Sequence, residues 1–279
     1  MSLIKSSLRI AALVLVGLEV IGCCCVNSLM FHPVRYYDAR HPGYVDIGKD
    51  GEKIAAIVRG QQKGRKALLY CHGNAEDATG SMEYLEMAVG DVYTIAAVDY
   101  PGYGLSEGSP DEEGCYRTVH RLYDWLIETR GFRPEDIIVV GFSIGTGPAT
   151  ELAATKPVGG LVLQAPYLSA PRIVTKVRIL PIDPFPNLKR IGKIKCPLTV
   201  LHGTDDSVIP FAQGQELFGL APEPKKFIPV EGADHNDLIG VLGLDEYRKL
   251  LLEGLREVPT EHERSELRSR RYVGCAKNS

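Results

Sequence analysis

Short apolar runs alternate along this chain with longer stretches in which apolar residues recur every three or four positions. Ala67–Tyr70, Thr94–Val98, Asp136–Val140, Gly160–Leu163, Leu198–Leu201 and Lys226–Val230 are the runs, most of them rich in Val, Ile and Leu. They are short enough to read as buried strands rather than helices. Between them, Ser81–Val89, Asp111–Thr129, Thr146–Thr155, Phe211–Leu220 and Asp245–Leu255 read as helices; in the longest, Tyr116, Val119, Leu122 and Leu126 fall at helical spacing. Lys53–Val58 is an earlier strand, preceded by a polar stretch of loop and short antiparallel strands around Pro33, His41-Pro42-Gly43 and Gly48–Gly51. Strands alternating with helices predict an α/β fold, a mostly parallel sheet with helices on both faces. No repeat and no linker divides the chain, so residues 26–257 read as one domain.

Both ends depart from that pattern. Lys5 and Arg9 precede the uninterrupted apolar run Ile10–Leu18, and Glu19 breaks it before Val20-Ile21-Gly22-Cys23. A basic start and a short apolar core read as a signal peptide or anchor over residues 1–25. Val20–Cys23 is similar to a bacterial lipobox, in which Cys23 would be lipidated on the exported side. A palmitoylated Cys23-Cys24-Cys25 cluster or an uncleaved signal anchor are the alternatives, and all three hold the protein at a membrane. The tail, residues 258–279, is rich in Glu and Arg without an apolar stripe and reads as flexible. A net charge of -3 and the lack of a basic aromatic patch argue against nucleic acid. Of seven cysteines, Cys71 and Cys196 read as buried thiols, and no metal-ligand spacing occurs, so no cofactor or metal is expected.

Gly141-Phe142-Ser143-Ile144-Gly145 joins a predicted strand to a predicted helix, the context of a nucleophile elbow. Such a turn lifts Ser143 Oγ above the sheet edge, beside helix N–H groups that favour developing negative charge. A serine hydroxyl needs a histidine base, and that histidine needs a carboxylate to fix its tautomer. In an α/β-hydrolase sheet, whose elbow this turn resembles, the chain order would be Ser, then Asp, then His, each in a loop after a strand. His235, in Glu231–Asp237, is the base candidate, and Asp205-Asp206, after Leu198–Leu201, offers the acid. One oxyanion donor is the N–H of Ile144, which follows the nucleophile. Cys71-His72-Gly73-Asn74-Ala75 is placed to supply the other, with His72 as a brace.

At His202-Gly203-Thr204-Asp205-Asp206-Ser207-Val208-Ile209-Pro210 the sequence resembles the α/β-hydrolase superfamily, whose motif there is H-G-x-x-D-x-x-V-P. Laid on that motif, the acid is Asp206 and Asp205 is its solvated neighbour. The family's H-G-x pattern likewise implies that Asn74 donates to the oxyanion, with Ala75 the rival. His72–Ala75, Asp99–Gly108, Gly141–Gly145, Asp183–Leu188 and Gly232–Asp237 together resemble a membrane-associated branch of that superfamily containing protein depalmitoylases and bacterial relatives. The likeness runs from about residue 65 to 255. It implies an α/β-hydrolase fold and a serine hydrolase.

Between Leu163 and Leu198 the chain carries Tyr167, Leu168, Ile173, Val174, Val177, Ile179, Leu180 and Phe185. They read either as a short apolar lid suited to an acyl group or as residues packed on the sheet. The expectation is a membrane-associated hydrolase of carboxylic ester or thioester bonds. Its substrate would be an acyl-bearing small molecule, a lipid or an acylated protein. A serine peptidase of the same fold and a catalytically inactive binding scaffold are the alternatives.

Overall fold

The computed structural model describes residues 27–28, 30–35, 41–60, 66–90, 92–175 and 183–253. The expected anchor with Cys23, and the tail from residue 258, lie outside them. The strands are β1 (Tyr44–Asp46), β2 (Ala55–Arg59), β3 (Ala67–Cys71), β4 (Thr94–Val98), β5 (Ile137–Phe142), β6 (Gly160–Gln164), β7 (Leu198–Gly203) and β8 (Lys225–Val230). They form one sheet in the order β1-β2-β4-β3-β5-β6-β7-β8. β1 and β2 pair antiparallel, as does β2 with β4, and the remaining pairs are parallel.

The helices are α1 (Ala78–Val89), α2 (Glu112–Glu128), α3 (Thr146–Thr155), α4 (Ala170–Thr175), α5 (Asn187–Arg190), α6 (Phe211–Leu220), α7 (Leu238–Leu242) and α8 (Leu244–Glu253). Two begin on aspartate caps that accept backbone N–H groups, Asp77 from Gly80 and Asp111 from Gly114. No described helix is long and apolar enough to cross a membrane.

Strand alternation sorts the core into two layers. Leu69, Val139 and Val200 pack on one face with Val119, Leu122 and Leu152 from α2 and α3. Leu68, Val140 and Val162 pack on the other with Met82, Leu85 and Leu250 from α1 and α8. A parallel sheet buried on both faces has one place left for chemistry, the loops beyond the carboxyl ends of its strands. β3, β5, β7 and β8 all deliver candidate residues there.

Candidate active site

The turn after β5 is built for Ser143. Its φ is +52°, left-handed backbone that is strained for a side-chain-bearing residue. The flanking glycines are required by space. A Cβ on Gly141 would lie 2.6 Å from the Gly145 carbonyl oxygen, and one on Gly145 would lie 2.1 Å from that of Cys71. The Thr146 hydroxyl donates to the Ser143 carbonyl at 2.7 Å and the Tyr167 hydroxyl donates to that of Ile144 at 3.0 Å. The strained turn is thereby fixed by the helix it opens and by the loop after β6.

Ser143, His235 and Asp206 come together from the ends of three strands. His235 Nε2 is 3.0 Å from Ser143 Oγ, and His235 Nδ1 is 2.9 Å from Asp206 Oδ2. With Nδ1–H donating to the carboxylate, Nε2 is left to accept from the serine hydroxyl. Asp206 Oδ1 accepts the N–H groups of Val208 at 2.9 Å and Ile209 at 2.6 Å. His202, fully buried, places Nε2 3.3 Å from Asp206 Oδ2 and 3.0 Å from the Ile209 carbonyl, to which it donates. Burial would raise the Asp206 carboxyl, but the bonds from His202, His235 and the Ile209 N–H outweigh it and hold the group well below the usual carboxylate range.

The neighbouring carboxylates do something else. Asp205 is exposed, and its side chain accepts from the Thr204 hydroxyl at 3.3 Å. Asp234 Oδ1 accepts the N–H groups of Ser207 and His235, each at 2.7 Å, so it ties the histidine loop to the acid loop. Asp237 accepts the Asp234 N–H at 2.7 Å.

The loop after β3 brings Asn74 and Ala75 to the same cleft as Ser143, Ile144 and His235. The Asn74 side chain is held at both ends. Its Oδ1 accepts the Tyr103 hydroxyl at 2.6 Å and the His32 N–H at 2.9 Å, and its Nδ2 donates to the Met30 carbonyl at 2.8 Å. His72 lies beneath, with Nδ1–H donating to the Gly73 carbonyl at 2.8 Å and its ring 4.1 Å from that of Tyr100. The Tyr100 hydroxyl donates to the His72 carbonyl at 3.0 Å. Burial lowers His72 to about 4, the Gly73 bond opposing only in part, which suits a neutral brace. Glu76 closes the loop, its Oε2 accepting the Gly73 N–H at 3.0 Å. Met30 and His32 carry no local signal of these roles, whereas Tyr103 lies in the glycine-dense Asp99–Gly108 segment and His202 opens the H-G-x-x-D motif. Met30 and His32 are revealed only by contacts with Asn74 across 44 and 42 residues.

The cleft above these residues encloses about 570 Å3, with Met30, Ile173, Val208 and Ile209 as apolar wall. The insert after β6 divides between its two readings. Leu168 and Phe185 are buried in the core, Ala170 and Ile173 line the cleft, and the buried Tyr167 does both. Val177, Ile179 and Leu180 lie outside the described residues, as does the side chain of Val174. A second cavity, of about 360 Å3, shares the wall of Glu76, Phe142, His235 and Asn236. Among the described residues no cluster of three or more His, Cys, Asp or Glu side chains could hold a metal, and Cys71, Cys115 and Cys196 are free buried thiols.

The class follows from known proteins as well as from geometry. A family model described as alpha/beta hydrolase fold matches residues 66–185. An esterase from Pyrococcus furiosus superposes with a TM-score of 0.65 at 19% identity, covering 81% of this chain and 97% of that one. An alpha-beta serine hydrolase homologue from Coxiella burnetii superposes with a TM-score of 0.58 at 17% identity, covering 80% and 99%. Among curated sequences, human alpha/beta hydrolase domain-containing protein 17B is 38% identical over 194 residues, 67% of each chain. The mouse protein 17C is 33% identical over 208 residues, 73% of this chain and 65% of its own. The chain belongs to the α/β-hydrolase family, in the branch of the domain-containing proteins 17, and is a hydrolase.

Proposed function

We propose that this hydrolase cleaves carboxylic ester or thioester bonds through Ser143, His235 and Asp206. The observation that carries the reading is the unbroken hydrogen-bonded line from Ser143 Oγ through His235 to the buried Asp206 carboxylate, opening on an apolar cleft. Ser143 Oγ attacks the acyl carbon as its proton passes to His235 Nε2. Asp206 steadies the resulting imidazolium. The N–H groups of Ile144 and Asn74 receive the carbonyl oxygen as it becomes an oxyanion. Collapse expels the alcohol or thiol, which takes the proton from His235. Water, deprotonated by the same histidine, then releases the acid and restores Ser143.

Within this chemistry, long-chain acyl substrates suit the walls of Met30, Ile173, Val208 and Ile209. An S-acylated protein at a membrane surface is the substrate favoured by the sequence's likeness to depalmitoylases. Attachment through the apolar leader and lipidated Cys23 belongs to the same proposal. Membrane fractionation of wild type and Cys23→Ser tests it, and an unchanged membrane share in the variant removes Cys23 from it.

The central experiment is fluorophosphonate labelling with a panel of acyl esters, thioesters and peptides of graded chain length. Wild type labels and turns over acyl esters or thioesters, and Ser143→Ala does neither. A folded wild type that resists the probe and turns over nothing overturns the reading in favour of a binding scaffold. Turnover of peptides alone would make it a peptidase.

A further inference from the structure

The two cavities that meet at His235 differ in what else they touch. Ser143 and Ile144 line only the larger one, and Tyr84, Gln164, Leu238 and Ile239 line only the smaller. On the hydrolase reading above, the acyl carbon must sit at Ser143 Oγ, so the acyl chain belongs in the larger cleft. The leaving oxygen or sulfur must sit within reach of His235 Nε2, which donates its proton. With the acyl chain in the larger cleft, the smaller cavity, walled by His235 but not by Ser143, is the one left to receive the leaving group.

The charge lies on the wall that the two cavities share. Apart from the histidines, Glu76 is the one residue lining either cavity, among the described residues, that carries a formal charge. Its Oε2 accepts the Gly73 N–H at 3.0 Å, the Ser81 hydroxyl at 3.2 Å and the Tyr70 hydroxyl at 3.3 Å, all neutral donors. Burial raises the Glu76 carboxyl against the pull of these bonds, and an opposing cation would favour its ionised form. Tyr84 continues the polar strip through its hydrogen bond to the Tyr70 hydroxyl, while Leu238 and Ile239 give the cavity an apolar side. A carboxylate and a tyrosine beside aliphatic groups suit a cation carried on a short hydrocarbon stem.

We propose that the smaller cavity is a leaving-group subsite for a cation. It takes an alcohol or thiol bearing an ammonium or guanidinium group a few bonds from the scissile oxygen or sulfur, opposite Glu76. Such a group occurs in amino alcohols and in basic residues beside an acylated cysteine.

Two matched substrate pairs test this and separate the sources. The first compares a thiocholine ester with the 3,3-dimethylbutyl thioester of the same acid, which has the same shape without the charge. The second compares an S-acyl-cysteine peptide having an adjacent lysine with one having glutamine. In wild type, kcat/KM favours the charged member of at least one pair by on the order of tenfold, a difference typical of one partly solvated charge pair. The pair that responds identifies the source. Glu76→Gln, which keeps an acceptor for the Gly73 N–H, brings that ratio close to one. Ratios within twofold of unity in wild type for both pairs, or a preference that survives Glu76→Gln, overturn the proposal. Choline and 3,3-dimethylbutanol are also titrated into Ser143→Ala by NMR. Glu76-dependent binding of choline alone supports the subsite even if no ester is turned over, and equal binding of both counts against it. Failure of fluorophosphonate labelling would instead strike at the hydrolase reading.

Discussion

Asp206→Asn isolates the acid of the proposed mechanism, because the amide it creates has two orientations and both are poor. If the amide oxygen keeps the Oδ1 place, it still accepts from Val208 and Ile209, bonds of 2.9 Å and 2.6 Å in the native site. The NH2 then faces His235 Nδ1, which must become an acceptor, so the ring proton moves to Nε2 and the base can no longer take the serine proton. The flipped amide restores His235 but points NH2 at two backbone N–H groups. Leaving those donors unpaired costs about 1–3 kcal/mol each. Imidazoles can change tautomer and backbone amides cannot, and His202, whose Nε2–H also meets Oδ2, keeps the Ile209 carbonyl as acceptor, so the first orientation wins by about 1–5 kcal/mol. Each 1.36 kcal/mol is tenfold, and the base is held in the wrong form. Loss of kcat on the order of a thousandfold to ten-thousandfold follows, in line with the same exchange in other Ser-His-Asp sites. KM stays within a few-fold. Asp205→Asn, on an exposed side chain, changes kcat less than about twofold, as surface substitutions do. Steady-state kinetics on one chromogenic ester measures both. If Asp206→Asn keeps more than a tenth of wild-type kcat, or Asp205→Asn is the one that collapses, the assignment is refuted.

Other outcomes follow from neighbouring contacts. Tyr103→Phe removes the 2.6 Å bond to Asn74 Oδ1 and should lower kcat about five- to tenfold, the worth of one hydrogen bond of about 1 kcal/mol, with KM little changed. A rise in KM alone would place Tyr103 in binding instead. Gly145→Ala puts a methyl group 2.1 Å from the Cys71 carbonyl, and a variant that still labels with fluorophosphonate at the wild-type rate would contradict the tight elbow. His72 falls from 6.5 unfolded to about 4 folded, so between those pH values the unfolded chain binds the extra proton and stability drops as pH falls. Asp99, raised by burial to about 6, acts in the opposite sense over much of that window, gaining stability as pH falls. Denaturant titrations should therefore show His72→Gln improving by about 3 kcal/mol relative to wild type between pH 6.5 and 4, and a constant difference would show that His72 is not buried neutral.

The strands were legible because a parallel sheet buried on both faces writes itself as apolar runs, as at Leu68 and Leu69, which face opposite layers. The element boundaries differ where caps decide. Asp136 ends a 3-10 turn before β5 instead of opening the strand, and α1 starts at Ala78, behind the Asp77 cap. Ser143, Asp206 and His235 could be picked out because the fold's chain order assigns each to a loop. The insert could not be resolved in advance, since Phe185 in the core and Ile173 at the cleft are equally apolar. Least legible was the support of Asn74. Met30, His32 and Tyr103 meet it only after the chain has closed loops of 29 to 44 residues.

Those closures bear on when the enzyme becomes competent. Met30–Val34 bonds to Asn74, Tyr103 and Gly104, and Phe31 is buried against Phe185, more than 150 residues later. Along the chain this short strap precedes all of its partners, and its docking surface is complete only once the insert after β6 has been made. Its anchorage is thus a late event, governed by loop-closure entropy rather than by local propensity. A chain with its sheet and serine turn formed but its strap unseated would leave Asn74 without its bonds to Met30 and His32. On the proposed mechanism, seating of the strap would then fix Asn74 and raise the rate of a chain whose triad is already in place.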